Sequence, residues 1–482
     1  MSQTTSVQEP PRLDVLALRA RLDGEIATPI DASWDEARRA WNLAVDQRPA
    51  AVVYAESIDD VVETTRFARE HGLRVAPQGT GHNASPLGDL GDTILLKTSR
   101  MRRVEIDAEK QQARVEAGVL WLEVVEAAAE HGLAALAGSS PDVGVVGYTL
   151  GGGLSWLGRK HGIGANSVTA VEVVTADGRL VRADAENEAD LFWALRGGGG
   201  SFGVVTALEF RLYPLTQVYA GWLFFPIERA EEVLYTWRWT LDSMPDEMTL
   251  VARFLRLPPI PDIPEPLRGR SFVVVEGIYL GDEADGEELI RPLRELGPEM
   301  NTFATIPMPA LSHLHMDPEH PVPGAGDGMM LSDLPTEALD RLIEAAGAES
   351  ESSLLSVEIR HLGGAIAEAK PEHGALAAFD APFVLFAVGV AATPEMKATV
   401  ETHLEVVQKA LAPWDAGRAY LNFAERNTTG QRLFGADAYA RLRRVKTDYD
   451  PEDVIRSNHP IPPARLAERR AARRPTPART RV

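Results

Sequence analysis

The chain has 482 residues, 45% hydrophobic and 25% charged, with 49 Lys and Arg against 70 Asp and Glu and a net charge of −21. That length suits two or three packed units, and the acidic balance argues against nucleic acid, whose phosphates need clustered Lys and Arg. With no cysteine, disulfides, thiolate metal sites and a cysteinyl nucleophile are excluded.

The apolar stretches are broken by Gly, Asp or Glu well short of the ~20 residues of a membrane span. The opening MSQTTSVQEPPRLD lacks the basic and apolar pattern of a secretion signal. A cytoplasmic protein without a membrane partner is expected.

In chain order, the first periodic segment is SIDDVVETTRFAREHG. Ser57 followed three residues later by Asp60 predicts a capping box, Ile58, Val61, Val62 and Thr65 share one face, and Gly72 ends the helix. A short strand, LRVA, leads into the loop APQGTGHNASPLG (76–88), and TILLKT follows as a second buried strand. The loop is rich in glycine (Gly79, Gly81, Gly88) and carries a single imidazole, His82. Beyond it ARVEAG alternates, WLEVVEAAAEHG is helical, and VTAVEVVTADGRLVRAD is a hairpin turning at Asp177-Gly178. Two more glycine clusters lie in AGSSPDVGVVGYTLGGGLSWLGRKHG (137–162) and DLFWALRGGGGSFGVVTALEFRLYP.

After Pro214 the texture changes. Residues 216–410 are richer in proline and carry long loops such as LPPIPDIPEPLRGR, which predicts a separate domain. The chain closes on a tail with seven Arg and one Glu from Arg465 onward, read as a disordered or surface-docked end.

Gly198 to Gly203 formally satisfies G-x-G-x-x-G, but a helical segment precedes it and a strand follows, the reverse of the dinucleotide fingerprint. GTGHN is no Walker loop, since no Lys-Ser/Thr follows. Three glycine turns in the first 215 residues still need a cause. Glycine lets backbone N–H groups approach a ligand, and these clusters, with few charged side chains inside, favour one with a pyrophosphate and a flat ring system.

The ordered segments RPAAVVYAESIDDVVETTRFAREHGLRVAPQGTGHN, GSSPDVGVVGYTLGGG, DLFWALRGGGGSFGVVTALEFRLYP, YLNF and SNHPIPP resemble the FAD-linked oxidases of the vanillyl-alcohol-oxidase/p-cresol-methylhydroxylase fold. More closely, the chain is similar to their berberine-bridge-type branch. The resemblance implies an α+β fold. A PCMH-type FAD-binding domain of two α+β subdomains would occupy 1–215, and a substrate domain with an antiparallel sheet covered by helices 216–410. Residues 411–465 would return to the FAD domain, leaving 466–482 as the basic tail.

The resemblance also implies FAD, bonded through a ring nitrogen of His82 to the flavin 8α-methyl. The family's usual Arg-x-Gly-Gly stands here as Gln78-Gly79-Thr80-Gly81, followed by His82 and Asn83. Ser140, after Ser139, occupies the place of a second linking cysteine, so one covalent link is the maximum. Val143 stands where a small aliphatic residue goes with O2 as acceptor. Gly144, Gly147, Gly151, Gly152, Gly153, Val204 and Val205 correspond to further cofactor contacts, mostly through backbone. In YLNF, read as a strand, Tyr420 and Asn422 share a side facing the flavin; Phe423 replaces a tyrosine and cannot exchange a proton. Tyr420 is the remaining candidate base.

Two clusters in the middle domain are read from their residues. SHLHMDPEH gathers His313, His315 and His320 beside Asp317 and Glu319, but Pro318 makes it a loop, and it suits a cleft lining better than a metal site. In LSVEIRHLGGA, Glu358 and Arg360 share one strand face and can pair. His361, opposite, is either a base or substrate contact or a satisfied sheet histidine.

The expected activity is hydride transfer from a C–H next to O or N of a small organic substrate to flavin N5, with O2 reduced to H2O2. The alternatives are a dehydrogenase using another acceptor and a flavoprotein that binds a ligand without turnover. No motif names the substrate or an oligomeric state.

Overall fold

The computed structural model describes residues 14–261 and 263–464; the basic tail expected over 466–482 lies outside them. The fold is α+β, built on three principal sheets.

The first sheet runs in the order β1-β2-β4-β3, from β1 (Glu25–Ala27), β2 (Ala51–Tyr54), β3 (Arg74–Gln78) and β4 (Thr93–Lys97). β4 pairs in parallel with β2 and β3 and every residue of TILLK is buried, as an apolar run between two parallel neighbours requires. The helix Ile58–Glu70 forms on the expected signal, with the Asp60 N–H donating to Ser57 Oγ at 3.2 Å and a complete capping box. Its Val61, Phe67 and Ala68 are fully buried against the sheet.

The second sheet is antiparallel, in the order β5-β6-β10-β8-β9, from β5 (Val104–Asp107), β6 (Gln112–Glu116), β8 (Val168–Val174), β9 (Leu180–Asp184) and β10 (Val204–Arg211). The β8–β9 hairpin turns at Asp177-Gly178, where Gly178 takes φ +76°. β7 (Leu133–Ala134) pairs with β11 (Tyr213–Pro214) beside it.

The third sheet has eight antiparallel strands: β12 (Gln217–Pro226), β13 (Met248–Arg256), β14 (Ser271–Tyr279), β15 (Met300–Asn301), β16 (Ala304–Pro307), β17 (Gly324–Leu331), β18 (Ser356–His361) and β19 (Phe383–Val390). Helices Ala230–Leu241, Thr336–Ala346 and Pro394–Leu411 cover one face. Strand alternation assigns the two faces. Ala252, Phe254, Val273, Val275, Val357 and Ile359 point into the helix-covered core, so Arg253, Glu276, Glu358 and Arg360 point away from it.

YLNF is not a strand. Leu421–Phe423 is a single 3₁₀ turn, because the Phe423 N–H bonds to the Tyr420 carbonyl at 3.0 Å and the Ala424 N–H to that of Leu421 at 3.3 Å. With those bonds made locally, no partner strand is needed. The chain then runs through the helix Ala436–Tyr449 and returns to the first sheet, where Val75 exchanges backbone bonds with Val454 and Arg456. Among the described residues, no helix is long and apolar enough to cross a membrane.

Candidate active site

His82 sits where the loop after β3 meets the second glycine cluster. Its ring stacks on Trp41 at 4.0 Å between centroids, with planes 19° apart. Nδ1 lies 2.7 Å from Thr80 Oγ1. Nε2 lies 3.4 Å from Asp142 Oδ1 without hydrogen-bond geometry, and both atoms are buried with no hydrogen bond among the described residues. Burial alone would raise the Asp142 carboxyl, but the His82 ring and the Trp41 indole N–H outweigh it and hold it below the usual carboxylate range.

The glycines around His82 have distinct reasons. Gly81 takes φ +89°, and a Cβ there would stand 3.0 Å from Ala40, so only glycine fits. At Gly79 a Cβ would meet nothing closer than the Ala117 carbonyl at 3.8 Å, and at Gly147 nothing within 4 Å. Those two glycines border open space. Gly144, before the helix Val145–Leu150, faces Thr80 at 3.7 Å, so the two glycine loops adjoin. Gly152 and Gly153 take φ +120° and +84°. Gly151 lies against Asn422, where a Cβ would come within 1.8 Å of Oδ1.

Asn83 ties the loop to the C-terminal turn. Its Nδ2 donates to the carbonyls of Leu421 and Ala424 at 3.2 and 3.3 Å, while its Oδ1 is buried without a partner. Val143 accepts the Trp121 N–H at 3.0 Å. The side chains of Val204 and Val205 belong to two hydrophobic cores, which leaves only their backbone for a ligand. Unpartnered buried polar atoms on His82, Asn83 and Asp142, bordered by open glycines, fit a large polar cofactor.

Beside Gly152 of the second glycine cluster, Tyr420 is 4% exposed. Its hydroxyl oxygen accepts the Leu154 N–H at 3.0 Å and Asn422 Nδ2 at 2.8 Å, and Asn422 Nδ2 also donates to the Tyr148 carbonyl at 2.9 Å. Burial outweighs these donors and pushes the hydroxyl up to about 12. Tyr420 and Asn422 therefore meet through a hydrogen bond rather than through strand alternation. Phe423 packs on Phe386 and Tyr420, and the Arg360 guanidinium carbon lies 5.2 Å from its ring centroid.

A buried charge cluster faces these aromatics. Arg360 Nε donates to Glu358 Oε1 at 2.8 Å, the pairing expected from their shared face. His315 is clasped between Glu276 Oε2 at 2.7 Å and Glu358 Oε2 at 2.8 Å, and Arg253 pairs with Glu276. Asp317 accepts from Ser140 Oγ at 2.8 Å and more weakly from Ser139 at 3.4 Å. Burial alone would lower the His315 ring, but Glu276, Asp317 and Glu358 push it up, against Arg253, to about 9. His313 instead pairs with Glu319 in solvent.

His361 is not part of this group. It lies on the helix side of β18, 3.4 Å from Arg159 Nη1 and beside Phe383. Burial, with Arg159 and Arg238, presses its ring down to about 3, and its Nδ1 is buried with no hydrogen-bond partner among the described residues, so it is a buried sheet histidine without being a satisfied one. Arg253, Glu276 and Glu425 are residues that sequence reasoning missed. A lone charge inside the apolar strands LVARFLR and VVVEGIY was the available signal for the first two. Glu425 packs near Phe386 across Gly326, whose N–H donates to its Oε2 at 3.0 Å.

Two family models match the chain: an FAD binding domain over residues 49–184 and a berberine and berberine-like segment over 419–462. An uncharacterized FAD-linked oxidoreductase of Bacillus subtilis (strain 168), YvdP, is 31% identical over 468 residues, 92% of this chain and 99% of that protein. The (R)-6-hydroxynicotine oxidase of Paenarthrobacter nicotinovorans is 27% identical over 469 residues, 93% of this chain and 98% of the enzyme. Among solved structures, wild-type BBE-like 1 of Physcomitrella patens superposes with a TM-score of 0.81 at 21% identity, covering 93% of this chain and 99% of that one.

Proposed function

The chain belongs to the berberine-bridge-like FAD-linked oxidoreductases, and we propose that it is an oxidase acting on a C–H bond next to oxygen or nitrogen in a small organic substrate. FAD, when bound, supplies the hydride acceptor at flavin N5 and passes the electrons to O2 to give H2O2. The observation that carries the reading is the His82 loop, where a buried imidazole nitrogen makes no hydrogen bond among the described residues and faces the Asp142 carboxylate at 3.4 Å, three residues after Gly79 with its open side.

His82 is the single covalent tether in this reading. Its Trp41 stack and its Thr80 contact fix the ring, and Asp142 beside it stabilises positive charge on the imidazole as a bond forms. Ser140, in a chain without cysteine, can form no second thioether. Asn83, Asn422 and the glycine backbones orient the cofactor. Val143 and the oxidase named among the relatives support O2 as acceptor.

The substrate O–H or N–H proton needs a base. Tyr420, with its hydroxyl at about 12, stays protonated at neutral pH, so we assign it the positioning of Asn422 and the Leu154 backbone. Glu425, pushed up to about 7 and set beside Phe386, is matched to taking a proton near neutrality.

The same reading divides the chain into an FAD-binding domain over 1–215, a substrate domain over 216–410 and a return segment over 411–465. The start of the third sheet at Gln217 supports that division. The cytoplasmic placement remains part of the proposal and is tested by cell fractionation.

The direct test is the absorbance spectrum before and after acid precipitation. Yellow colour held in the pellet, and lost from the pellet in His82→Ala, is the expected result. Colour released from the wild type removes the covalent role of His82. A substrate screen by H2O2 release follows; anaerobic bleaching with slow recolouring in air would instead identify a dehydrogenase.

A further inference from the structure

We propose that Arg360 is the anion-binding residue of the substrate cleft and that the substrate is a small organic acid held through its carboxylate. This rests on the flavin-oxidase reading of the same cleft and specifies what enters it.

Arg360 has five N–H groups to place. Nε donates to Glu358 at 2.8 Å and Nη2 to Ser139 Oγ at 3.3 Å. Among the described residues Nη1 makes no hydrogen bond, and the side chain keeps 11% of its surface exposed. The Nη1 edge of the guanidinium is therefore the part left for a ligand. Ser139 belongs to the glycine loop beside His82, Phe423 to the C-terminal turn and Trp156 to the segment between. Arg360 lies among all three, its guanidinium carbon 5.2 Å from the Phe423 ring centroid and 5.9 Å from that of Trp156.

The residue is also held in place. Glu358 is fixed by His315, and His315 by Glu276, so the carboxylate that orients Arg360 cannot swing away. Its negative charge is shared between His315 and Arg360; Asp317 and Glu276 also act on Arg360, with Asp317 bonded by the Ser140 and Ser139 hydroxyls and Glu276 paired with Arg253 and His315. Phe423 offers a π-face to the cation and no competing oxygen, which a tyrosine hydroxyl would supply. A planar, oriented fork with a free edge on a largely buried side chain selects a planar anion over a neutral carbonyl, because only the carboxylate satisfies both charge and paired N–H groups.

The test titrates the holoenzyme with benzoate and cyclohexanecarboxylate and with their amides, read by the flavin absorbance band. The expected result is that the acids bind about tenfold or more tighter than the amides, that Arg360→Met weakens the acids by about tenfold with little change for the amides, and that Arg360→Lys falls between. Amides binding as tightly as acids, no response to either acid, or unchanged acid binding in Arg360→Met would each overturn it. If Arg360→Met does not fold, the acid-to-amide ratio of the wild type and Arg360→Lys decide. The oxidase reading fails separately, when photoreduced flavin is not reoxidised in air, which leaves the acid-to-amide ratio untouched.

Discussion

Glu425 is held by burial and by Asp327 at a carboxyl value of about 7, against the single backbone donor Gly326. Its folded value lies above its unfolded one, so the folded state binds the extra proton between the two. Stability therefore falls as pH rises from the ordinary carboxyl range through about 7. Glu425→Gln removes that ionisation, and thermal melts should show the variant more stable than wild type at about pH 8 and little changed at about pH 5. His315 runs the other way in origin, a ring raised to about 9 by the carboxylates around it. Its contribution is fully present below the ordinary histidine value and is lost as pH rises through about 9. His315→Ala leaves Glu276 and Glu358 buried without their shared partner, and denaturant unfolding at neutral pH should show a loss of about 3–5 kcal/mol.

At the scale of elements, the contact between the helix Val145–Leu150 and the C-terminal turn depends on one missing methyl. A Cβ on Gly151 would reach within 1.8 Å of Asn422 Oδ1 and 3.1 Å of Leu421, although its φ of −84° suits any residue. Gly151→Ala should therefore act by overpacking alone, lowering stability by about 1–3 kcal/mol and loosening flavin. Because the clash is with Asn422, adding Asn422→Ala should lower the melting temperature little further. Full additivity of the two losses would contradict this. The helix and strand elements near His82 were legible because capping, alternation and glycine stops are local signals: Ser57 with Asp60, the buried TILLK, the Asp177-Gly178 turn. YLNF misled for the same reason, since aromatics at both ends of a short segment look like a strand, while the chain closes into a turn on its own backbone bonds and is held there by Tyr148 and Asn83 hundreds of residues away. The Glu358–Arg360 pair could be read from one strand; the Arg253–Glu276 half of the cluster could not, because it needs the pairing of β13 with β14 and the seat of the His315 loop.

Across the whole molecule, the return of the chain converts separate sheets into one unit. Lys446, fully buried, donates from Nζ to the Ser201 carbonyl at 2.9 Å, the Ile455 carbonyl at 3.0 Å and Asp450 Oδ2 at 2.6 Å. Ser201 belongs to the third glycine cluster and Ile455 lies beside β3 of the first sheet, so a single ammonium joins that cluster and the segment beside the first sheet to the helix Ala436–Tyr449. Further along, Asn458 Nδ2 donates to the Asn83 carbonyl at 3.4 Å and His459 Nε2 lies 2.8 Å from the Ala424 carbonyl that Asn83 also holds. Loosening the return segment should therefore be felt at His82 without touching it. Lys446→Met fills the volume but strands Asp450 as a buried carboxylate, still bonded to the Val454 and Ile455 N–H groups. The expected loss is about 3–5 kcal/mol. If the segment is integral, heating Lys446→Met should expose the flavin and unfold the backbone in one transition at lowered temperature. A flavin-exposing step well below the loss of far-UV dichroism would mean instead that the return segment detaches while the sheets stay folded.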